Sequence, residues 1–167
     1  KSAEAVKALL TRGIPDVDNG LGQRVFEMAE VYQSLFERYP KVQKYVHIYH
    51  PDMQGPMDIC ELLWGSSMFV ALVEAPDLVI QLLELVTATY IEFMDAWDAR
   101  VLPSDGCSVH WSMVHRGHIM LRDDSAMNLS PRMFDRFIGP YDGRLLSHYG
   151  GGGIHFCGRG DHWIRNA

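Results

Sequence analysis

The sequence predicts an α/β fold of the (β/α)8, or TIM, barrel type, present as an incomplete barrel with about three strands and their helices. Strand-like segments alternate with longer helical segments, which favours parallel pairing of the strands. Each strand-like segment is followed at once by a polar loop, and a barrel carries its site at that end of its strands. A whole barrel takes about 250 residues, whereas this chain has 167. We therefore expect one incomplete domain over residues 1–167.

Prolines, glycines and apolar spacing define the predicted helices. Gly13 closes the first helix, and Pro40 ends the second. Pro76 suits the first turn of a long helix, and Ser130 is a good N-cap because Pro131 follows it. The predicted helical ranges are 3–12, 22–38, 57–64, 66–74, about 25 residues from Pro76, a helix after Ser130 and a further piece running to about Tyr149.

Three short segments are predicted to be barrel strands, at 45–50, 119–121 and 153–157. The first is rich in β-branched and aromatic residues and stops at Pro51. The third follows four consecutive glycines. Residues 107–118 are predicted to be irregular, after a break from Pro103 to Gly106. The expected order is therefore helix, strand, helices, strand, helix, strand.

Composition narrows the classes of partner. The net charge of −6 argues against a nucleic-acid or anionic-membrane surface, and no apolar run approaches about 18 residues. Three widely spaced cysteines, with no signal-peptide pattern, predict reduced thiols in the cytoplasm. No phosphate-binding glycine motif is present, so a nucleotide cofactor is not expected. The first residue is not Met, which adds to the expectation of an incomplete chain.

The strongest chemical signal is the pair His155 and Cys157 on the last predicted strand. Residues i and i+2 of a strand project from the same face. Imidazole nitrogen and thiolate sulfur are both zinc ligands, so the pair predicts a metal site. The alternative is structural, with a hydrogen-bonded core histidine beside a small buried cysteine.

The loop after that strand carries Arg159, Asp161 and His162 between and after two glycines. We expect Arg159 to bind a carboxylate or phosphate of the substrate. Asp161 is predicted to contact substrate or to orient His162 or His155, and His162 is a candidate catalytic residue. An Arg159–Asp161 ion pair that only stiffens the loop is the alternative.

The ends of the first and second predicted strands carry further polar candidates for the functional site. Asp123 and Asp124 end the second strand, where one should point into the barrel and the other toward the helices. The inward carboxylate is predicted to be a general base or to lie near the metal, with helix capping as the alternative. His50 ends the first predicted strand and Gln54 lies in the loop after it, and both are predicted to bind substrate. Three further histidines match no strong metal-site spacing: His110, His115 and His118.

Several of these segments, in this order, resemble the uroporphyrinogen decarboxylase superfamily. They are His50-Pro51-Asp52-Met53-Gln54-Gly55-Pro56, Ala75-Pro76-Asp77-Leu78-Val79, Asp123 to Pro131, and Ile154-His155-Phe156-Cys157-Gly158. The resemblance covers residues 40–167 and implies the middle and later part of a TIM barrel. The superfamily includes decarboxylases of haem biosynthesis and zinc-dependent methyltransferases that move a methyl group between a corrinoid and a thiol.

The resemblance favours the methyltransferase branch. Its members carry His-x-Cys on a late barrel strand with a further Cys beyond it, and His155 and Cys157 match the first two ligands. The resemblance places the third ligand past Ala167, outside this chain. The decarboxylases lack His-x-Cys here and use a Tyr shortly after the Gly-x-Pro loop. That position lies near Leu62, and no Tyr occurs between Pro56 and Ala75.

The leading functional hypothesis is zinc-dependent methyl transfer between a corrinoid and a small thiol. A corrinoid protein is the expected partner, and neither nucleic acid nor membrane is. The first alternative is a cofactor-free uroporphyrinogen decarboxylase of porphyrin biosynthesis, in which Arg159 and the histidines contact a tetrapyrrole. The second alternative is an inactive piece of a barrel, because open strand edges would be exposed.

Overall fold

The computed structural model describes residues 2–101 and 106–167. Most of the predicted break between Pro103 and Gly106 lies outside the described residues. The fold is mixed α/β, and helices make up most of the chain before residue 100. The helices are α1 (Ala3–Arg12), α2 (Leu21–Arg38), α3 (Pro40–Gln43), α4 (Pro56–Trp64), α5 (Ser67–Glu74), α6 (Pro76–Asp98), α7 (Pro131–Phe137) and α8 (Gly139–His148). The strands are β1 (Cys107–His110), β2 (Met113–Arg116), β3 (Ile119–Arg122) and β4 (Gly152–His155).

The helices whose limits were predicted are confirmed to within a residue or two. Gly13 ends α1 in the left-handed region at φ 72°, as a C-terminal glycine does. Ser130 caps α7, because its hydroxyl accepts a hydrogen bond from the Met133 amide at 3.3 Å. Pro140 lies in the first turn of α8, so it starts that helix after the turn at Ile138.

Two of the three predicted strands are confirmed as strands, and they pair in parallel. In the register of β3 with β4, Ile119 lies opposite Gly152 and Arg122 lies opposite His155. Glycine is required at 152, since a Cβ there would overlap the Ile119 carbonyl. The described residues form two two-stranded sheets, β1–β2 and β3–β4, and no closed barrel.

The strand predicted at residues 45–50 is wrong. This segment has no regular secondary structure. An imidazole nitrogen of His50 lies 3.0 Å from the carbonyl oxygen of His118, the residue before β3. Beyond the segment, the Gly55 amide donates to the Arg122 carbonyl at 2.8 Å. Tyr45, at 75% exposure, has no covering layer. The β-prone composition was present, but a strand also needs a continuous hydrogen-bonded neighbour.

Residues 107–118, predicted to be irregular, instead form the β1–β2 hairpin. The strands are antiparallel, and Cys107 pairs with Arg116 while His110 pairs with Met113. The two-residue connection begins with Trp111 at φ 56°. Turns of this kind usually contain Asn or Gly, so the sequence lacked the ordinary hairpin signal.

Helix α6 is the centre of the core and contributes to all three apolar clusters. Leu82 belongs to a cluster that also contains buried side chains of α4, α5 and α7. Tyr90 and Met94 lie against β3 and α8, and Trp97 packs against α2. Among the described helices, none is long and apolar enough to cross a membrane; α4 and α5 reach that length and composition only as a pair, and they meet at a 109° bend.

Candidate metal centre

The C-terminal ends of β3 and β4 bring Asp124, His155 and Cys157 together. The Asp123 amide donates to the His155 carbonyl at 2.8 Å and extends the parallel pairing past β3. One residue later, Asp124 Oδ1 accepts a hydrogen bond from the Cys157 amide at 2.7 Å. Although β4 ends at His155, Cys157 still lies on its side, and His155 Nε2 is 3.4 Å from Cys157 Sγ. The predicted common direction of His155 and Cys157 is confirmed.

The three side chains fit a single metal ion. Their ligand atoms all lie within 4.8 Å of one another, and His155 Nε2 is 4.0 Å from Asp124 Oδ1. Around a tetrahedral zinc, bond lengths of about 2.0–2.3 Å place neighbouring ligand atoms about 3.4–3.6 Å apart. The donor set of imidazole, thiol and carboxylate is also one that zinc takes. Asp124 is thus a candidate third ligand within the described residues, and the ligand expected beyond Ala167 stays a prediction.

A buried carboxylate on α4 fixes the loop that carries Asp124. Asp58 is only 4% exposed. Its Oδ2 accepts a hydrogen bond from the Asp124 amide and its Oδ1 accepts one from the Ser125 amide, both at 2.9 Å. Asp58 gives no functional signal in the sequence, because an acidic residue in the first turn of a helix after Pro56 has an ordinary explanation in the helix dipole.

The surroundings of Asp124 favour its ionised form. Partial burial alone would raise the pKa of Asp124, but hydrogen bonds from the backbone and side chain of Cys157 outweigh it, with help from Arg122 and His155. The pKa is therefore lowered from its ordinary value of 3.8. Arg122 lies between two acids, 3.5 Å from Asp124 Oδ2 and 3.4 Å from Asp52 Oδ2. A carboxylate that stays ionised is the form that coordinates a metal.

Asp123, the second acid at this strand end, is fully buried in the core. Glycine is needed at 55, because a Cβ there would overlap the Asp123 carboxylate. Burial, followed by the negative charge of Asp142, raises the pKa of Asp123. Burial also raises the pKa of Asp142 to about 7. Asp123 and Asp124 therefore lie in different surroundings, and the partly exposed Asp124 belongs to the triad. The catalytic role assigned to Asp123 stays a prediction.

The other predicted site residues lie outside the triad. Arg159 and Asp161 pair with each other at 2.9 Å in solvent, where their side chains are 85% and 66% exposed; this is the loop-stiffening alternative. A ring nitrogen of His162 lies 3.0 Å from the Leu129 carbonyl oxygen. The substrate contacts assigned to Arg159 and Asp161, and the catalytic role assigned to His162, stay predictions with no support from their positions.

His50 and Gln54, the two predicted substrate-binding residues before α4, lie in different surroundings. His50 is buried, and its ring nitrogens lie 2.7 Å from the Pro51 carbonyl oxygen and 3.0 Å from that of His118. That position is near the start of β3, whereas the triad lies at its end. Gln54 is partly buried, and its Oε1 has no donor among the described residues. Substrate binding by His50 and Gln54 stays a prediction.

The β1–β2 hairpin places His110 beside the triad, although the spacing of His110 in the sequence matched no metal-site motif. The ring centres of His110 and His155 are 4.8 Å apart, and His110 Nδ1 lies 3.4 Å from Asp52 Oδ1. Burial lowers the pKa of His110, while the charge of Asp52 acts in the opposite direction. A cavity of about 210 Å³ adjoins this pair. It is lined by Tyr49, His50, Asp52, Val109, His110 and Trp111.

The fold, but not the sequence, is similar to a known protein. No family model matches the chain, and no curated protein sequence matches it. Among solved structures, a methyltransferase from Methanosarcina mazei superposes with a TM-score of 0.59 at 19% identity. The match covers 87% of this chain and 39% of that chain, so the chain spans well under half of that protein. At this identity the likeness concerns the fold alone.

The position of Asp58 predicts a loss of stability when its carboxylate is removed. Asp58→Ala leaves the Asp124 and Ser125 amides without their acceptor. We expect unfolding to become easier by about 3 kcal/mol, given about 1.5–3 kcal/mol for a hydrogen bond to a charged group. Denaturant unfolding monitored by circular dichroism measures this. The control is Glu61→Ala, one turn further along α4, with an expected change within about 0.5 kcal/mol. Equal effects of the two changes would contradict this role of Asp58.

The buried acid Asp142 predicts a stability that falls as pH rises. Its pKa is raised from 3.8 to about 7 in the folded state. Between these pH values the carboxyl ionises in the unfolded chain but not in the folded one, and this ionisation stabilises the unfolded state. Stability from this group is complete below pH 4 and lost by pH 7, an effect of at most about 4 kcal/mol. Asp142→Asn should remove that fall and stabilise the protein at pH 8, as chemical denaturation at several pH values would show. The exposed change Asp135→Asn is the control, and parallel curves for the Asp142→Asn protein and the unchanged chain would refute the prediction.

Proposed function

We propose that the chain is the metal-binding part of a zinc-dependent methyltransferase, similar to the methyltransferase branch of the uroporphyrinogen decarboxylase superfamily. The observation that carries the proposal is the triad of Asp124, His155 and Cys157 at the ends of two parallel strands. Ligand sites of parallel α/β folds lie at this end of the sheet. The fold likeness to a methyltransferase agrees with the proposal.

The kind of ligands and their exposure favour a catalytic rather than a structural zinc. Structural zinc is enclosed by four protein ligands, whereas catalytic zinc has three and keeps one position for water or substrate. Asp124 and His155 have side chains 33% and 29% exposed, and Cys157 is exposed. The triad is therefore reachable from solvent, as a site that admits a substrate must be.

The acceptor in this proposal is a small thiol and the donor is a methylated corrinoid. When bound, zinc lowers the pKa of a thiol, so that thiolate is available at neutral pH. The thiolate sulfur forms a bond to the methyl carbon, and the corrinoid cobalt keeps the electron pair of the broken cobalt–carbon bond. The thiol proton leaves to solvent, so atoms and charge balance.

The protein residues act by position and charge. Asp58 holds the Asp124 loop through two amides, and Arg122 offsets part of the negative charge of Asp124 and Asp52. Phe156 and Trp163 pack edge to face at 4.7 Å, and Trp163 stacks on Phe134. These aromatic contacts anchor both ends of the loop that contains Cys157. A corrinoid protein would present the donor to this exposed end of the strands.

The proposal predicts metal-dependent methyl transfer that needs Cys157. Methylcobalamin and a small thiol are supplied to the zinc-loaded chain, and loss of the methyl–cobalt absorbance is followed. Cys157→Ala should lower the rate at least about 100-fold, because loss of even a residue that supports a ligand costs 10–100-fold. Cys107→Ala, at another exposed cysteine, is the control and should keep the rate.

Two outcomes would contradict the proposal. One is equal rates for the Cys157→Ala and Cys107→Ala proteins. The other is release of carbon dioxide from uroporphyrinogen that a metal chelator does not affect, which would favour the decarboxylase alternative instead.

A further inference from the structure

His110 faces the triad from the hairpin. It is the last residue of β1 and is only 5% exposed. Its ring centre lies 4.8 Å from that of His155, with the ring planes inclined by 54°. The hairpin is closed at its base by two glycines, since the Gly117 amide donates to the Gly106 carbonyl at 3.2 Å.

The spacing of the two rings is that of two imidazoles that share one metal. A zinc–nitrogen bond of about 2.0–2.1 Å places each ring centre about 3.1 Å from the metal, and a tetrahedral angle then separates two ring centres by about 5 Å. The observed 4.8 Å is close to that value. Stacked or edge-to-face packing of aromatic rings reaches similar spacings, so the distance alone does not decide the matter.

The surroundings of the two ring nitrogens of His110 favour a shared metal. Nδ1 lies 3.4 Å from Asp52 Oδ1, and this negative charge favours the tautomer with its proton on Nδ1, which leaves the lone pair of Nε2 free. Nε2 is buried, and no donor reaches it from the part of the chain that the structure describes. An acceptor buried without a partner is costly. A histidine oriented by a carboxylate through one nitrogen, with the other nitrogen bare, is the usual arrangement around protein-bound zinc.

We propose that His110 is an exchangeable fourth ligand of the metal held by Asp124, His155 and Cys157. This inference rests on the proposed metal site. His110 is not among the three residues whose ligand atoms already lie within 4.8 Å of one another, so it coordinates through a small inward shift of the hairpin. The hairpin already contacts the β3–β4 sheet through its other strand, because β2 contacts β4.

This assignment gives the β1–β2 hairpin a role in substrate entry. With His110 bound, the metal has four protein ligands and the site is closed. A thiol takes the fourth position by displacing His110, and the hairpin then moves outward. Trp111 at the hairpin tip, with its left-handed backbone, lines the 210 Å³ cavity into which the displaced ring withdraws. Backbone of this kind is held at sites where the surroundings require it.

The test uses the full chain loaded with zinc or with Co²⁺, and reads metal binding rather than activity. Zinc affinity is measured by competition with a chromophoric chelator, and the Co²⁺ absorption spectrum reports the ligands. His110→Ala should weaken zinc binding about 100-fold or more and alter the Co²⁺ bands. Asp52→Asn should weaken binding 10–100-fold, the effect of removing the partner of a ligating histidine.

A replacement that can itself bind the metal distinguishes the loss of a ligand from misfolding. His110→Cys should keep most of the affinity and intensify the thiolate-to-cobalt charge-transfer absorption, a gain that no purely structural role of His110 would produce. The control is His148→Ala, a histidine on α8 that pairs with Asp95 at 3.3 Å. Its affinity and spectrum should match those of the unchanged chain.

The outcomes separate this inference from the proposed function. If the unchanged chain binds metal, and His110→Ala and His110→Cys leave affinity and spectrum unchanged, the fourth-ligand assignment is overturned while the triad stands. If the unchanged chain binds neither zinc nor Co²⁺, the proposed function fails and this inference fails with it.

Discussion

The parallel pairing of β3 with β4 is the constraint on which the candidate site depends. Arg122 lies opposite His155 in this register, so the residues that follow the two strands emerge side by side. A shift of one residue would turn His155 to the other face. The close approach at Gly152 holds the register, because a side chain there would overlap the Ile119 carbonyl. A ligand set drawn from positions 124 and 155–157 is thus a consequence of strand pairing.

The second constraint is the accommodation of negative charge around these strand ends. Asp58 is satisfied by two amides, and Asp124 by the Cys157 amide and by Arg122. Asp123 and Asp142 are buried, and burial raises the pKa of both carboxyls, that of Asp142 to about 7. The protein thus keeps Asp124 ionised where a metal would bind, whereas burial favours the protonated forms of Asp123 and Asp142 in the core.

Local signals predicted the helices and part of the site. The Ser130 cap, the glycine after α1 and Pro76 act within a few residues, so the sequence alone located α1, α6 and α7. The i, i+2 spacing of His155 and Cys157 predicted their common direction for the same reason. Asp124 as a third ligand, and Asp58 as its support, depend on contacts across 33 and 66 positions, which no local pattern contains.

The errors have the same origin. Residues 45–50 have strand-like composition but no continuous partner, while the hairpin at 107–116 has a partner and lacks the usual turn residues. His110 could not be ranked above His115 or His118 until the hairpin placed its ring beside His155.

The central claim is that one metal ion is held by a mixed set of carboxylate, imidazole and thiolate donors at the ends of β3 and β4. Zinc K-edge X-ray absorption on the purified chain, with zinc content measured on the same sample, tests it directly. The account predicts one zinc per chain, one sulfur neighbour at about 2.3 Å and the remaining neighbours nitrogen or oxygen at about 2.0–2.2 Å. Absence of bound zinc, or a spectrum with no sulfur neighbour or with two, would contradict it.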